Sequence, residues 1–135
     1  MLAALSQRKN GVAALPIYDR RGQTVGWLEE DTIRLLDGTI AAFLTGEAVF
    51  NISGVCVGFI HDHCFRDLHG DAVAFLAGAA GGLPFPLPER PPMPRPFAYA
   101  PTRPIGSRPP VRPKAPVWSV DWSFVTWETF LMGDY

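Results

Sequence analysis

The chain has 135 residues, of which 47% are apolar, and its formal net charge is −1. This length suits one domain with a real hydrophobic core and is short for two. The nearly neutral charge gives no overall field for nucleic-acid binding, and no apolar run approaches the roughly twenty residues of a membrane-spanning helix.

Charge and proline are unevenly distributed along the chain. Residues 16–82 contain nine acidic and four basic residues, whereas residues 83–117 contain one acidic and six basic residues. All prolines except Pro16 lie between Pro84 and Pro116. We therefore expect the acidic and basic segments either to attract each other or to leave the basic segment for an anionic partner.

Residues 1–15 form a weakly patterned N-terminal lead-in to which we assign no function. The basic pair Arg8-Lys9 follows the apolar residues at the start of the chain, which is the reverse of the order in a secretory signal. We therefore expect no cleavable signal and a cytoplasmic location. Two cysteines, Cys56 and Cys64, do not make a disulfide framework.

A repeat of sixteen residues organises the chain from residue 16 to residue 82. Each unit contains a glycine, followed four to six positions later by a small residue, an aromatic residue and a leucine or isoleucine. The glycines are Gly22, Gly38, Gly54 and Gly70, and the phrases are Gly26-Trp27-Leu28, Ala42-Phe43-Leu44, Gly58-Phe59-Ile60 and Ala74-Phe75-Leu76. This period is too short for a pair of helices and predicts one β-hairpin per unit.

Turn residues divide each repeat in two. Each glycine and the residue before it, as in Asp37-Gly38, read as a two-residue turn with a positive φ at glycine. A second turn falls half a period later, and the segments between turns have the usual strand length of about five or six residues. We predict an all-β domain of eight antiparallel strands, near residues 17–20, 23–28, 32–36, 39–44, 48–52, 55–60, 64–68 and 71–76.

Neither face of the strand after each glycine is polar. One face carries valine or alanine with the aromatic residue, and the other carries the small residue with leucine or isoleucine. Both faces should therefore be covered, and the recurring glycine or alanine predicts a close approach at that register. The simplest arrangement places four hairpins around a pseudo-four-fold axis, with one face forming a central core. The other face is then covered by the C-terminal tail, by a neighbouring subunit, or by both.

The phrase Tyr18–Gly22 followed by Val25–Leu28, repeated in register with Asp37-Gly38 and the later units, resembles the four-fold β-flower family. Members of that family are small bacterial proteins built from four β-hairpins about a pseudo-four-fold axis. The resemblance covers roughly residues 16–80, and it implies a fold but no catalytic residue. A small β-propeller or a WG-type repeat array is the competing fold.

Residues 83–117 form a connector rich in proline and arginine, which is predicted to be polyproline II or irregular backbone. Three interpretations are open. The connector is a ligand for a proline-reading groove, a basic arm for anionic polymers, or a linker that carries the C-terminus back onto the repeats.

Residues 118–135 form an aromatic C-terminal segment. Residues 118–124 alternate between apolar and polar, which is typical of a strand, whereas Trp127, Phe130 and Leu131 have helical spacing. Because side chains this large are rarely left in water, we expect the segment to dock on its own domain or on a symmetry mate, or to serve as a peptide for another protein. The predicted interaction residues are Trp118, Trp122, Phe124, Trp127 and Phe130.

The turn His61-Asp62-His63 is the best candidate for chemistry. On an extended segment His61 and His63 would point to one side, where two imidazoles with an aspartate or cysteine would suit Zn²⁺. The plainer interpretation is a solvated turn, because the other units place Glu29-Glu30-Asp31 or Thr45-Gly46-Glu47 there. Adjacent carboxylates on such an exposed turn repel each other and stay solvated. We therefore assign no catalytic residue and expect no cofactor.

The sequence favours a non-enzymatic protein-interaction or assembly module, with itself as the partner in a homo-oligomer. The alternative is a metal-dependent or acid/base enzyme that uses His61, His63 and nearby carboxylates. No phosphate-binding loop, nucleophile elbow or paired-cysteine zinc motif supports that alternative. No membrane partner is expected, and nucleic acid is a weaker third possibility through the basic connector.

Overall fold

The computed structural model describes residues 14–79, 82–90 and 114–133. Most of the predicted lead-in and most of the proline-rich connector therefore lie outside the described residues, and Leu15 belongs to the first strand. Eight strands precede one short helix: β1 (Leu15–Tyr18), β2 (Thr24–Glu29), β3 (Thr32–Leu35), β4 (Ile40–Thr45), β5 (Ala48–Asn51), β6 (Cys56–His61), β7 (Cys64–Arg66), β8 (Ala72–Phe75) and α1 (Trp127–Met132).

The eight strands form a closed antiparallel barrel in which each strand pairs with its neighbours in sequence. The barrel closes where β1 meets β8, and there Tyr18 pairs with Phe75. Strands β1 and β2 by contrast pair over four positions. The prediction of an all-β fold with four hairpins in strict register is confirmed.

The glycine turns are wider than the predicted two-residue turns, and that prediction was wrong. In the first turn the Asp19 amide donates to the Gln23 carbonyl at 2.9 Å, so three residues lie between them. The Asp19 carboxylate also accepts hydrogen bonds from the Arg21 and Gln23 amides. An aspartate that bonds the backbone two residues onward favours this longer turn, and Gly22 completes it with a φ of 82°.

Each glycine turn is followed by a bulge that re-aims one side chain. Ile17 pairs with Gly26 and Tyr18 pairs with Thr24, so Val25 has no partner across the strands. The same shift occurs in the other three hairpins. The bulged residues are Val25, Ala41, Val57 and Val73. They pack on the central core. The sequence pattern predicted that they lie on the same face as the aromatic residues, and that prediction was wrong because a bulge interrupts the alternation of side chains along a strand.

The centre of the barrel is filled by the face that carries the small residues. The first strand of each repeat contributes one large apolar side chain, and the second contributes leucine or isoleucine with glycine or alanine. The first set is Ile17, Ile33, Val49 and Phe65, each fully buried. The resulting core is continuous with three residues of α1.

The buried face of helix α1 packs into the barrel core against the glycine positions of two repeats. The Trp127 ring meets Phe65 edge-on with centroids 5.3 Å apart. A Cβ added to Gly58 would lie 2.5 Å from the Phe130 ring and 2.2 Å from the Arg66 carbonyl oxygen. The predicted close approach at this register is therefore confirmed, and its partner is the chain's own C-terminal segment.

The tail also covers part of the outer, aromatic face of the barrel. Trp122 and Phe85 both contact the Phe75 ring, and Trp118 contacts Phe59. Next to β8, the Ala72 amide donates to the Asp121 carbonyl at 3.0 Å. The strand expected over residues 118–124 is reduced to a single parallel bridge there.

Candidate functional site at the barrel mouth

The four glycine turns lie at the same end of the barrel, which we call the barrel mouth. Two side-chain contacts attach α1 and the residues before it to this end. The Asn51 side-chain amide donates to the Met132 carbonyl at 3.4 Å. The Ser123 hydroxyl donates to the buried Asp67 carboxylate at 2.6 Å. Helix α1 therefore lies across the barrel mouth, and its buried face fills the core.

The third glycine turn and the C-terminal end of α1 expose an apolar surface, which we call the mouth patch. It consists of Ile52, Val55 and Met132, whose exposed fractions are 59%, 52% and 63%. The two segments adjoin, because the Asn51 side chain, next to Ile52, bonds to the Met132 carbonyl, and a Cβ added to Gly133, next to Met132, would lie 3.9 Å from Val55. Adjoining apolar side chains that stay exposed in a folded domain mark a candidate interaction surface.

A cavity of about 350 Å³ opens at the other end of α1, which we call the mouth cavity. It lies between the first glycine turn and residues 123–128. We call its charged lining residues and the exposed Phe124 the rim, and its other lining residues include valine and tryptophan. The lining residues are Asp19, Arg20, Arg21, Val25, Val73, Ser123, Phe124, Val125, Thr126, Trp127 and Glu128.

The structure divides the five predicted interaction residues into three groups. Trp127 and Phe130 are buried in the barrel core. Trp118 and Trp122 pack on the outer face of the same chain. Phe124 is fully exposed and stands at the rim of the mouth cavity. Within the described part of the chain, Phe124 is therefore the one of the five that is left free for a partner.

The two histidines proposed as metal ligands lie at the opposite end of the barrel from the mouth. His61 ends β6, and its ring contacts Glu47 at 3.1 Å and Asp62 at 3.4 Å. The ring also stacks on Trp118 with centroids 4.8 Å apart. Asp62 and His63 form a tight turn with φ values of 50° and 63°, so the extended geometry assumed for a histidine pair is absent.

No group of three histidine, cysteine or acidic side chains suited to holding a metal ion occurs among the residues that the structure describes. Cys56 and Cys64 are both buried and free. Burial raises the pKa of the Cys64 thiol from 9.0 to about 11, although the nearby Arg66 acts in the opposite direction. Cys64 therefore stays protonated at neutral pH, which makes it a poor nucleophile and metal ligand.

Sequence reasoning did not identify either feature of the mouth, although both have a signal in the repeat. The position after each glycine is polar in three units, occupied by Gln23, Thr39 and Asp71, but the third unit has Val55. The first turn has Arg20 where the other turns have Leu36, Ile52 and Leu68. The two positions at which one unit differs from the others therefore lie in the mouth patch and in the mouth cavity.

A family model described as "4-fold beta flower protein" matches residues 15–131 of the chain. The match extends beyond the hairpins and includes most of α1. No curated protein and no solved structure matches the chain. Among the described residues, no helix has the length and apolar character needed to cross a membrane.

Proposed function

The chain belongs to the 4-fold β-flower family, and on that premise we propose that it is a non-enzymatic protein-interaction or assembly module that associates with itself. The mouth patch is the observation that carries this proposal. A barrel whose interior and part of whose outer face are covered by its own tail nevertheless leaves Ile52, Val55 and Met132 exposed on two adjoining segments.

A second copy of the chain is the partner that the chemistry of the patch favours. In a two-fold interface each residue near the axis faces its own counterpart, so like charges there repel. Residues 51–58 and 129–133, which contain the patch residues and their neighbours in sequence, contain no charged side chain. The mouth patch can therefore face a copy of itself without an electrostatic penalty.

Sedimentation velocity of the full chain over a range of concentrations tests this proposal. We expect the wild-type chain to associate, and we expect Ile52→Ser/Val55→Ser/Met132→Gln to weaken association at least about tenfold because the apolar contact is lost. Leu87→Ser is the matched control, since Leu87 is also exposed but lies outside the patch. A wild-type chain that stays monomeric, or a triple variant that associates equally well, would contradict the proposal.

We also propose that the protein is located in the cytoplasm. Its support is that Cys56 and Cys64 are buried, free thiols, as is usual in a reducing compartment. Fractionation of cells that express the full chain tests this location.

A further inference from the structure

We propose that the mouth cavity binds a small zwitterionic molecule with an apolar side chain, of the class of the apolar α-amino acids. The cavity, of about 350 Å³, is at the lower end of the range of small-molecule sites, roughly 300–1,000 Å³. It lies at the N-terminal end of α1, whereas the mouth patch lies at the C-terminal end. The site is therefore independent of the self-association proposed above.

The interior of the cavity suits an apolar side chain. Val25 and Val73 are two of the bulged residues, and both line the cavity. Val125 and the buried Trp127 come from the tail and complete the apolar wall. A ligand side chain placed among these residues would remove apolar surface from water on both sides.

The rim of the cavity carries charges of both signs. Arg20 and Arg21 belong to the first glycine turn, and Glu128 belongs to the first turn of α1. No ion pair joins either arginine to a carboxylate among the residues described. Asp19 also reaches the rim, but one of its carboxylate oxygens accepts the turn's own amides.

Charges that face a common cavity without pairing with each other can be satisfied by a ligand that carries both signs. Arginine binds a carboxylate through two parallel hydrogen bonds, and the Glu128 carboxylate is an acceptor for an ammonium group. The repeat supports this assignment, because a pair of basic residues occurs in the one glycine turn that borders the cavity. The corresponding pairs are Leu36-Asp37, Ile52-Ser53 and Leu68-His69.

The exposed Phe124 ring adds a contact at the entrance. It is fully exposed in the structure and stands at the cavity rim next to the buried Ser123. A fully exposed aromatic side chain that lines a cavity is suited to close over the apolar part of a ligand.

Nuclear magnetic resonance of the isotope-labelled full chain, titrated with L-phenylalanine into the millimolar range, tests the site. We expect shifts of the Val25 and Val73 methyl signals and of the Trp127 indole signal, with saturation. Phenylacetate lacks the ammonium group and phenethylamine lacks the carboxylate, and each should bind about tenfold more weakly because one rim charge is left unpaired.

Substitutions of the charged rim residues test whether those residues bind the ligand. Arg20→Gln/Arg21→Gln and Glu128→Gln should each weaken L-phenylalanine binding about tenfold. Arg90→Gln is the matched control, since Arg90 is exposed and lies outside the cavity, and it should bind as the wild type does. The proposal is overturned if L-phenylalanine leaves the cavity signals unmoved, if the three ligands bind equally, or if the rim variants bind as tightly as Arg90→Gln.

Discussion

At the scale of single residues, the glycines of the inner face set how closely α1 can approach the barrel. A Cβ at Gly58 would meet both the Arg66 carbonyl oxygen, at 2.2 Å, and the Phe130 ring, at 2.5 Å. A Cβ at Gly26 would meet the Arg34 carbonyl oxygen at 2.5 Å, but its nearest atom of α1 would be 3.6 Å away, in Trp127. A side chain at Gly26 would therefore clash only with a neighbouring strand, whereas a side chain at Gly58 would clash with a neighbouring strand and with α1.

We predict that Gly58→Ala destabilises the protein more than Gly26→Ala does. Overpacking a core usually costs about 1–3 kcal/mol, and we expect Gly26→Ala to fall in that range and Gly58→Ala to reach or exceed its upper end. Urea unfolding of both variants measures the difference. Phe130→Leu, added to each variant, should recover more stability for Gly58→Ala, and equal recovery in both backgrounds would contradict the assigned contact.

The buried thiol of Cys64 gives the protein a defined response to alkaline pH. Because the pKa of the folded protein is raised from 9.0 to about 11, the folded state keeps a proton that the unfolded state loses. The stability attributable to this group is therefore fully present below pH 9 and decreases as the pH rises toward 11. The full decrease amounts to about 2–3 kcal/mol.

We predict that Cys64→Ala flattens the decline of unfolding free energy between pH 9 and pH 11. Urea unfolding at several pH values measures the slope. Cys56→Ala retains the Cys64 thiol and should keep the steeper decline of the wild type. Identical slopes in all three proteins would show that Cys64 does not titrate differently on folding.

At the scale of elements, α1 is stabilised by its packing against the barrel and not by its own length. It has six residues, and isolated helices shorter than about 12–15 residues are marginal in water. Its ends are nevertheless well defined. The Thr126 hydroxyl accepts a hydrogen bond from the Thr129 amide, and Gly133 ends the helix with a φ of 78°.

We predict that Thr126→Ala lowers the unfolding free energy by about 1 kcal/mol, the usual effect of losing an N-cap. Thr126→Ser preserves the capping hydroxyl and should stay close to the wild type. Thermal or urea unfolding of the full chain measures both. A loss as large for serine as for alanine would show that the Thr126 methyl group, and not its hydroxyl, is the stabilising part.

The hairpins could be predicted from the sequence because each repeat contains the glycine that its turn requires. The turn length could not be read from that glycine alone. Asp19, Asn51 and Asp67 each accept two turn amides and so stabilise a three-residue turn, but the second turn has the same length with Leu35 at this position. The resulting bulge then placed Val25 and Val73 at the mouth, which strict alternation along a strand does not predict.

At the scale of the whole molecule, the tail and the barrel form a single core. Trp127 and Phe130 lie outside the sixteen-residue repeat, so the repeat does not predict which strand residues they contact. The sequence predicted their helical spacing and their burial, but both faces of the strands were equally apolar. Only the three-dimensional arrangement shows that the helix fills the centre while Trp118 and Trp122 cover the outside.

The placement of α1 in the barrel underlies both proposals, because it forms the mouth patch and one wall of the mouth cavity. Native-state hydrogen exchange of the full chain and of Phe130→Ala tests this placement most directly. We predict that amides of β2, of β6 and of Leu131 open together with one free energy. Phe130→Ala should lower that value for all of them by about 3–5 kcal/mol, since a buried phenylalanine is removed from a shared core. Loss of protection in α1 alone, with the strand amides unchanged, would contradict the placement of the helix at the centre of the barrel.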